Sequence, residues 1–134
     1  MSMKVITLEL ARNPGQPTGD ATHGYVFRAP LGTNGKFNRD AWAVNKDLCT
    51  VRRIEKGVEV EAGLLVLNRS GKWVFSYAPG DEDDETLFRL ADHRFVPGEY
   101  VSVTEHDGVE RTFKVKSVRE WHPDPAATAA AANP

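Results

Sequence analysis

Five side chains have the chemistry of a ligand site: Arg52, Arg53, Tyr77, His93 and Arg94. Guanidinium groups bind carboxylates and phosphates through paired hydrogen bonds, and a tyrosine adds an aromatic face with a polar tip. The set therefore predicts binding of a small anionic ligand or of an acidic protein surface. Arg52 and Arg53 are adjacent, so on a strand their side chains point to opposite faces, and the alternative for this pair is a solvated edge.

His93 is the residue of this set that suggests catalysis. It is flanked by Asp92 and Arg94 ahead of a turn, so a carboxylate could orient its imidazole as a proton-transfer group. A small enzyme of this kind would use His93 with Asp92 or Arg53 around a pocket. The alternative, which we favour, is one polar side chain in an ordinary strand.

Three aromatic residues, Trp73, Phe75 and Tyr77, follow one another at period two. On a strand all three rings project from one face, as they do on platforms that stack the bases of single-stranded nucleic acids. Such a platform needs a cationic groove, which nearby arginines would have to supply. The alternative is the inner face of a sheet, and we expect these rings to lie in the core.

Other residues that could bind a metal or act as a nucleophile lack the partner residues that these roles require. No two histidines have a metal-ligand spacing, and no histidine can be placed beside Cys49 to activate it. The acidic run of residues 81–85 suggests calcium, but that loop pattern needs glycine and glutamate where Thr86 and Asp92 stand. The sequence therefore predicts no catalytic residues, no metal and no cofactor, and makes a non-enzyme the better interpretation.

Length and composition indicate one ordinary globular domain. The chain has 134 residues, of which 40% are hydrophobic and 27% charged, and its formal charge is −2. A charge this balanced disfavours a non-specific binder of polyanions. The single cysteine and the absence of an apolar run that could span a bilayer predict a cytoplasmic protein without a membrane partner.

Short alternating segments separated by turn residues predict a mainly β fold. In the first of them Ile6, Leu8 and Leu10 share one face. We expect six to eight antiparallel strands in a small barrel or two packed sheets, with at most one or two short helices, one of them capped by Asn38 or Asp40. The domain covers residues 1–121, and the Ala/Pro-rich residues 122–134 are expected to be disordered.

The turn residues and the apolar faces of the strands also predict local features of the chain. Val101 shares a buried face with Phe113 only if the connecting loop has an odd length, which predicts a three-residue loop with a left-handed Gly108. A two-residue turn at Ser70 and Gly71 would place residues 64 and 66 beside the aromatic strand, which carries Trp73, Phe75 and Tyr77. Two separate strands are expected over residues 57–61 and 63–67, and residues 85–95 are assigned as strand in preference to helix.

The residues Asp40, Trp42, Cys49, Val51, Arg53, Trp73, Tyr77, His93, Phe95 and the run 97–103 resemble a small bacterial family of uncharacterised single-domain proteins. The resemblance covers about residues 25–118. It implies a bacterial single-domain protein, and because the family has no established activity it implies no function and no site residue.

These observations predict a non-enzymatic binding or interaction module of the bacterial cytoplasm, a monomer or weak homodimer. One alternative is a single-stranded nucleic-acid-binding barrel that uses Trp73, Phe75 and Tyr77 with nearby arginines. A second alternative is a small enzyme that uses His93.

Overall fold

The structure is a computed structural model that describes residues 2–77 and 83–122. Its described residues are mainly β, with one five-residue helix, α1 (Arg39–Ala43), and two 3-10 turns, Lys46–Leu48 and Leu90–Asp92. The strands are β1 (Ser2–Leu10), β2 (Asp20–Leu31), β3 (Thr50–Glu55), β4 (Val58–Leu67), β5 (Trp73–Ser76), β6 (Glu85–Leu87), β7 (Tyr100–Thr104) and β8 (Glu110–Glu120). The predicted fold class is confirmed.

The eight strands form a closed antiparallel barrel in sequence order. Each strand pairs with the next, and β8 pairs back with β1, for example Ile6 with Val118. The structure therefore selects the barrel from the two predicted architectures. Closing the sheet pairs strand edges that an open sheet would leave for other chains to bind.

Apolar side chains at every second position fill the barrel. Ile6, Leu8 and Leu10 of β1 are each at most 5% exposed, as their spacing predicted. Five fully buried aromatic rings occupy the centre and contact one another, with centroid separations such as 5.0 Å between Tyr25 and Phe75. They are Tyr25, Phe27, Phe75, Phe95 and Phe113.

Helix α1 forms where its cap predicted it. The side chain of Asn38 accepts a hydrogen bond from the backbone N–H of Ala41, which satisfies a donor at the first turn. The helix buries Trp42, whose indole N–H donates to the carbonyl of Leu65 at 2.9 Å. This contact fastens the helix to the barrel wall.

The hairpin between β7 and β8 has the predicted register. Val101 lies opposite Phe113, and the N–H of Gly108 donates to the carbonyl of Glu105 at 2.8 Å. Gly108 has a φ of +81°, the left-handed conformation that a three-residue loop requires. The odd-length loop is confirmed, and it fixes which side of β8 faces the interior.

The predicted register of the β4–β5 hairpin is wrong. Leu65 lies opposite Phe75 and Leu67 opposite Trp73. The N–H of Asn68 donates to the carbonyl of Lys72 at 2.8 Å, so the loop between these two residues has three residues, not two. The side chain of Asn68 accepts hydrogen bonds from two backbone N–H groups of this loop and stabilises the longer turn. β4 (Val58–Leu67) is also one strand where two were predicted, over residues 57–61 and 63–67, and only one of its faces is buried.

Residues 85–95 combine both predicted conformations. β6 is a strand of three residues, and the chain then turns through Arg89, with φ 52° and ψ 46°, into the 3-10 turn. The predicted disordered tail lies outside the described residues except for residue 122, and residues 81 and 82 of the acidic run lie outside them too. No helix in the described part of the chain is long and apolar enough to cross a membrane.

One end of the barrel, here called the mouth, is where β1, β3, β5 and β7 end and β2, β4, β6 and β8 begin. This follows from the antiparallel order of the strands. The charged residues that the barrel buries lie at this end.

Candidate functional site

Three charged side chains are buried at the mouth: Arg53, Glu85 and Glu105, with exposed fractions of 3%, 0% and 2%. Arg53 lies between the two carboxylates, with its Nε 3.3 Å from Glu85 and its Nη2 3.4 Å from Glu105. Burial of charges is costly unless they are paired and hydrogen-bonded. Five further residues supply that bonding, and the eight together are here called the mouth cluster: Arg53, Glu85, Glu105, His23, Tyr25, Tyr77, His106 and Arg111.

Glu105 receives hydrogen bonds from four side chains. The hydroxyl of Tyr25 donates at 2.5 Å, Nη1 of Arg111 at 3.0 Å and Nη2 of Arg53 at 3.4 Å. Nε2 of His23 lies 3.0 Å from the same carboxylate. Burial raises the pKa of Glu105, but the hydrogen bonds from His23 and Tyr25 and the charge of Arg53 outweigh it and lower the pKa to about 2. The carboxylate is therefore ionised at neutral pH.

Glu85 is held in a similar way on the other side of Arg53. It accepts from the hydroxyl of Tyr77 at 2.7 Å and from the backbone N–H of His106 at 3.0 Å. The imidazole Nδ1 of His106 lies 3.3 Å from it. Nε of Arg53 is the one buried side-chain polar atom of the described residues without a hydrogen-bond partner.

The two tyrosines act as hydrogen-bond donors in this cluster. Burial, followed by the negative charge of Glu85, raises the pKa of both hydroxyls above their usual range. For Arg53, burial lowers the pKa, but its partners Glu55 and Glu85 outweigh that effect and raise it. Both tyrosines therefore stay protonated and Arg53 stays charged, so none of the three can accept a proton.

A cavity of about 330 Å³ opens above the mouth cluster. Its lining includes Arg53, His23, His106 and Arg111 of the cluster, together with the carboxylate of Asp20 and two carboxylates at its rim, Glu55 and Asp107. Glu55 is 2.8 Å from Arg53, and Asp107 is 2.9 Å from Arg111. The rim carboxylates are about half exposed, whereas the carboxylates below them are fully buried. The cavity thus presents cations, anions and imidazoles over a buried ionic floor.

The β7–β8 hairpin positions much of this site. Glu105, His106 and Asp107 lie in or beside its three-residue loop, and Arg111 follows on β8. The left-handed Gly108 reverses the chain so that Arg111 reaches both Glu105 and Asp107. Among the other donors, His23 and Tyr25 lie on β2, Arg53 lies on β3, and Tyr77 directly follows β5.

The structure brings together two of the five residues predicted to bind a ligand. Arg53 and Tyr77 both contact Glu85 in the mouth cluster. Arg52 lies on the outer wall, where it pairs with Glu59 at 3.6 Å, because adjacent strand residues face opposite sides.

His93 and Arg94 lie away from the mouth cluster. Nε2 of His93 is 2.9 Å from the carbonyl oxygen of Phe88, and Nε of Arg94 donates to the carbonyl of Asn34 at 3.2 Å. The enzyme hypothesis named Asp92 or Arg53 as the partner of His93, and His93 has no contact with Arg53. The five predicted residues therefore do not form one site.

The aromatic strand faces the barrel interior. Trp73 and Phe75 are 8% and 0% exposed, and Tyr77 is partly buried with its hydroxyl on Glu85. The prediction that these rings lie in the core is confirmed for Trp73 and Phe75. Neither ring presents a face on which a nucleic-acid base could stack.

Sequence reasoning missed six members of the mouth cluster, which are His23, Tyr25, Glu85, Glu105, His106 and Arg111. Glu85 ends an acidic run and Glu105 follows a strand, so both resemble solvated loop residues in the sequence. The available signal was alternation: Tyr25 and Arg53 occupy inward positions of strands whose other inward positions are apolar. A polar residue on an apolar face predicts a buried partner.

The cluster is not arranged as a metal centre. Within the described ranges, no three His, Cys, Asp or Glu side chains are placed to hold a metal ion together. Cys49 is fully buried, and that burial raises the pKa of its thiol to about 11. The thiol is therefore protonated and shielded, which does not suit a nucleophile.

Comparison with known proteins adds no family assignment. No protein-family model matches the chain, and neither a curated protein nor a solved structure matches it significantly. Function must therefore be argued from the mouth cluster, the cavity above it and the remaining surface.

Proposed function

We propose that the chain is a non-enzymatic binding module of the bacterial cytoplasm whose ligand binds in the mouth cavity. The observation that carries this proposal is the fully buried Glu105, ionised and held by donors from three strands. Such a network gives a rigid charged floor to a cavity of about 330 Å³, which lies within the range of roughly 300–1,000 Å³ typical of small-molecule sites.

The hydrogen bonding of the cluster favours binding over catalysis. A general base needs a carboxylate or imidazole that is free to accept a proton from a substrate. Glu105 already accepts from four side chains, and Glu85 accepts from Tyr77 and from the backbone of His106. Neither buried carboxylate is among the described residues that line the cavity, and the lowered pKa of Glu105 makes it a weak base, which supports a fixed recognition surface.

The charges around the cavity favour a ligand that carries both an acidic and a basic group. Arg53 and Arg111 are already paired with Glu55 and Asp107, so a simple anion would have to displace these carboxylates. A simple cation would meet the two guanidinium groups. A small zwitterion such as a free amino acid pairs with both kinds of charge, and we propose this class in place of the small anionic ligand that the sequence predicted.

Nuclear magnetic resonance titration tests this proposal. The ¹⁵N-labelled protein is titrated with L-glutamate and L-arginine, with citrate as a purely anionic probe and putrescine as a purely cationic one. We expect saturable shifts in the backbone amides of His23, Arg53 and His106 with an amino acid, at a dissociation constant of about 1 mM or tighter. Weaker shifts are expected with citrate and putrescine.

Matched variants complete the test. Asp107→Asn removes a rim charge of the cavity and is expected to weaken amino-acid binding about fivefold or more. Glu59→Gln removes a charge of similar exposure from the outer wall and should leave binding unchanged. Absence of saturable shifts at the mouth with every probe, or equal effects of both variants, would refute the proposal and leave the cluster with a structural role.

A further inference from the structure

A second cavity lies on the outer wall of the barrel, beside β6 and the turn that follows it. This outer groove has a volume of about 590 Å³, and its lining includes Phe88 together with the polar residues Lys72 and Arg89. Phe88 is 53% exposed, whereas the core residues that also reach the groove, Trp73, Leu87 and Leu90, are at most 8% exposed. Apolar walls with a few polar groups are the usual composition of a small-molecule site. The groove shares no lining residue with the mouth cavity.

The backbone at Arg89 holds an unusual conformation. Its φ of 52° and ψ of 46° are left-handed, which favours glycine and is uncommon for a long side chain. Hydrogen bonds on both sides hold it: Phe88 N–H donates to the carbonyl of Ser102 at 2.8 Å, and Asp92 N–H donates to the carbonyl of Arg89 at 2.9 Å. Nε2 of His93 lies 2.9 Å from the carbonyl oxygen of Phe88.

This conformation exposes an aromatic ring and sets a cation against it. The Phe88 ring is 53% exposed, and the guanidinium carbon of Arg89 lies 5.0 Å from its centre. An exposed phenylalanine beside an arginine is a surface on which a second aromatic or aliphatic group can pack while an anion reaches the guanidinium.

The charge of the groove selects the sign of the ligand. Neither Lys72 nor Arg89 has a carboxylate partner among the residues that the structure describes. Among the residues that the structure describes, Glu110 is the single acidic residue that lines the groove. Two cations and one anion leave a positive charge beside apolar surface.

We propose that the outer groove binds a small amphipathic carboxylate, whose apolar part packs on Phe88 and whose carboxylate pairs with Arg89 and Lys72. The chemical class is an aryl- or alkyl-substituted carboxylic acid. The inference is independent of the proposed function at the mouth, because the two cavities are lined by different residues.

The test uses 4-phenylbutyrate as the probe, with its neutral amide and 4-phenylbutylamine as matched controls. Nuclear magnetic resonance titration of the full chain is expected to show saturable shifts at the amides of Phe88, Arg89 and Leu90, with a dissociation constant of about 1 mM or tighter. The amide and the amine are expected to bind at least about fivefold more weakly, because each lacks the charge that pairs with the guanidinium.

Arg89→Gly removes the guanidinium at a position whose backbone conformation glycine adopts freely. We expect it to weaken 4-phenylbutyrate binding about tenfold without lowering the thermal unfolding temperature, and Lys72→Gln to weaken it by a smaller factor. Arg119→Gln, on an exposed part of β8, is the control that should bind as the wild type does. Equal affinities for the acid and its amide, unchanged binding by both groove variants, or no saturable shift at the groove would overturn the proposal.

Discussion

Replacement of Glu105 by glutamine tests the energetics of the mouth cluster. The environment lowers the pKa of this carboxyl from its ordinary 4.5 to about 2. At about 1.4 kcal/mol per pKa unit, this difference corresponds to about 3 kcal/mol of folding free energy at neutral pH. The side chain is fully buried, so solvent screens little of this interaction. We expect Glu105→Gln to lower the free energy of unfolding by about 3 kcal/mol near pH 7, which is within the range for breaking a buried ion pair.

The same shift predicts how the loss depends on pH. Because the folded-state pKa of Glu105 lies below its unfolded value, the carboxylate stabilises the fold fully above about pH 4.5 and loses this effect as the pH falls towards about 2. The glutamine variant lacks the carboxylate at every pH. The difference in stability between wild type and variant should therefore be largest near neutrality and shrink through that window.

Urea unfolding at a series of pH values from about 7 to about 3 measures this difference. Glu59→Gln is the matched control, since Glu59 forms a half-exposed pair with Arg52 and should contribute less than about 1 kcal/mol at any pH. A loss below about 1 kcal/mol for Glu105→Gln near pH 7, or a loss that stays constant down to about pH 3, would refute the reasoning.

Three further experiments test the backbone conformation and the packing of the barrel. Gly24→Ala places a Cβ 1.9 Å from the carbonyl oxygen of Leu8, so urea unfolding should show a loss of roughly 2–3 kcal/mol; a loss below about 1 kcal/mol would contradict the close approach of β1 and β2. Gly108→Ala forces a left-handed φ on alanine and should cost about 1 kcal/mol, whereas Gly108→Asn should cost less; equal losses would contradict the loop conformation. The thiol of Cys49 is buried, and its pKa is raised to about 11. Near pH 8 the folded protein should therefore react with an aromatic disulfide at least about 100-fold more slowly than the urea-unfolded chain. Prompt reaction of the native protein would contradict this burial.

The sequence predicted those parts of the fold in which one strand face must be apolar. For β7 and β8, requiring Val101 and Phe113 to share a buried face left only odd loop lengths, and the structure has the three-residue loop. For β4 and β5 the turn residues Ser70 and Gly71 favour a two-residue loop. The structure has a longer loop because Asn68 stabilises it through its side chain.

The candidate site was less predictable, since its members are distant in sequence. Arg53 and Tyr77 were identified by residue type, but their shared partner Glu85 was indistinguishable from the solvated carboxylates next to it. Glu105 meets Arg53 only because the barrel closes and brings the ends of β3 and β7 to the same mouth. His93 has suggestive neighbours in the sequence, yet its backbone turns the imidazole towards Phe88 instead.

The proposed function depends on an ionised, hydrogen-bonded Glu105 carboxylate that is buried beneath Arg53 and Arg111, two residues that line the mouth cavity. Carbon-13 nuclear magnetic resonance of the Glu105 carboxyl carbon during an acid titration measures this directly. We predict a titration midpoint of about 2, as set by the hydrogen bonds from His23 and Tyr25. A midpoint at or above the ordinary 4.5 of a glutamate would contradict the account.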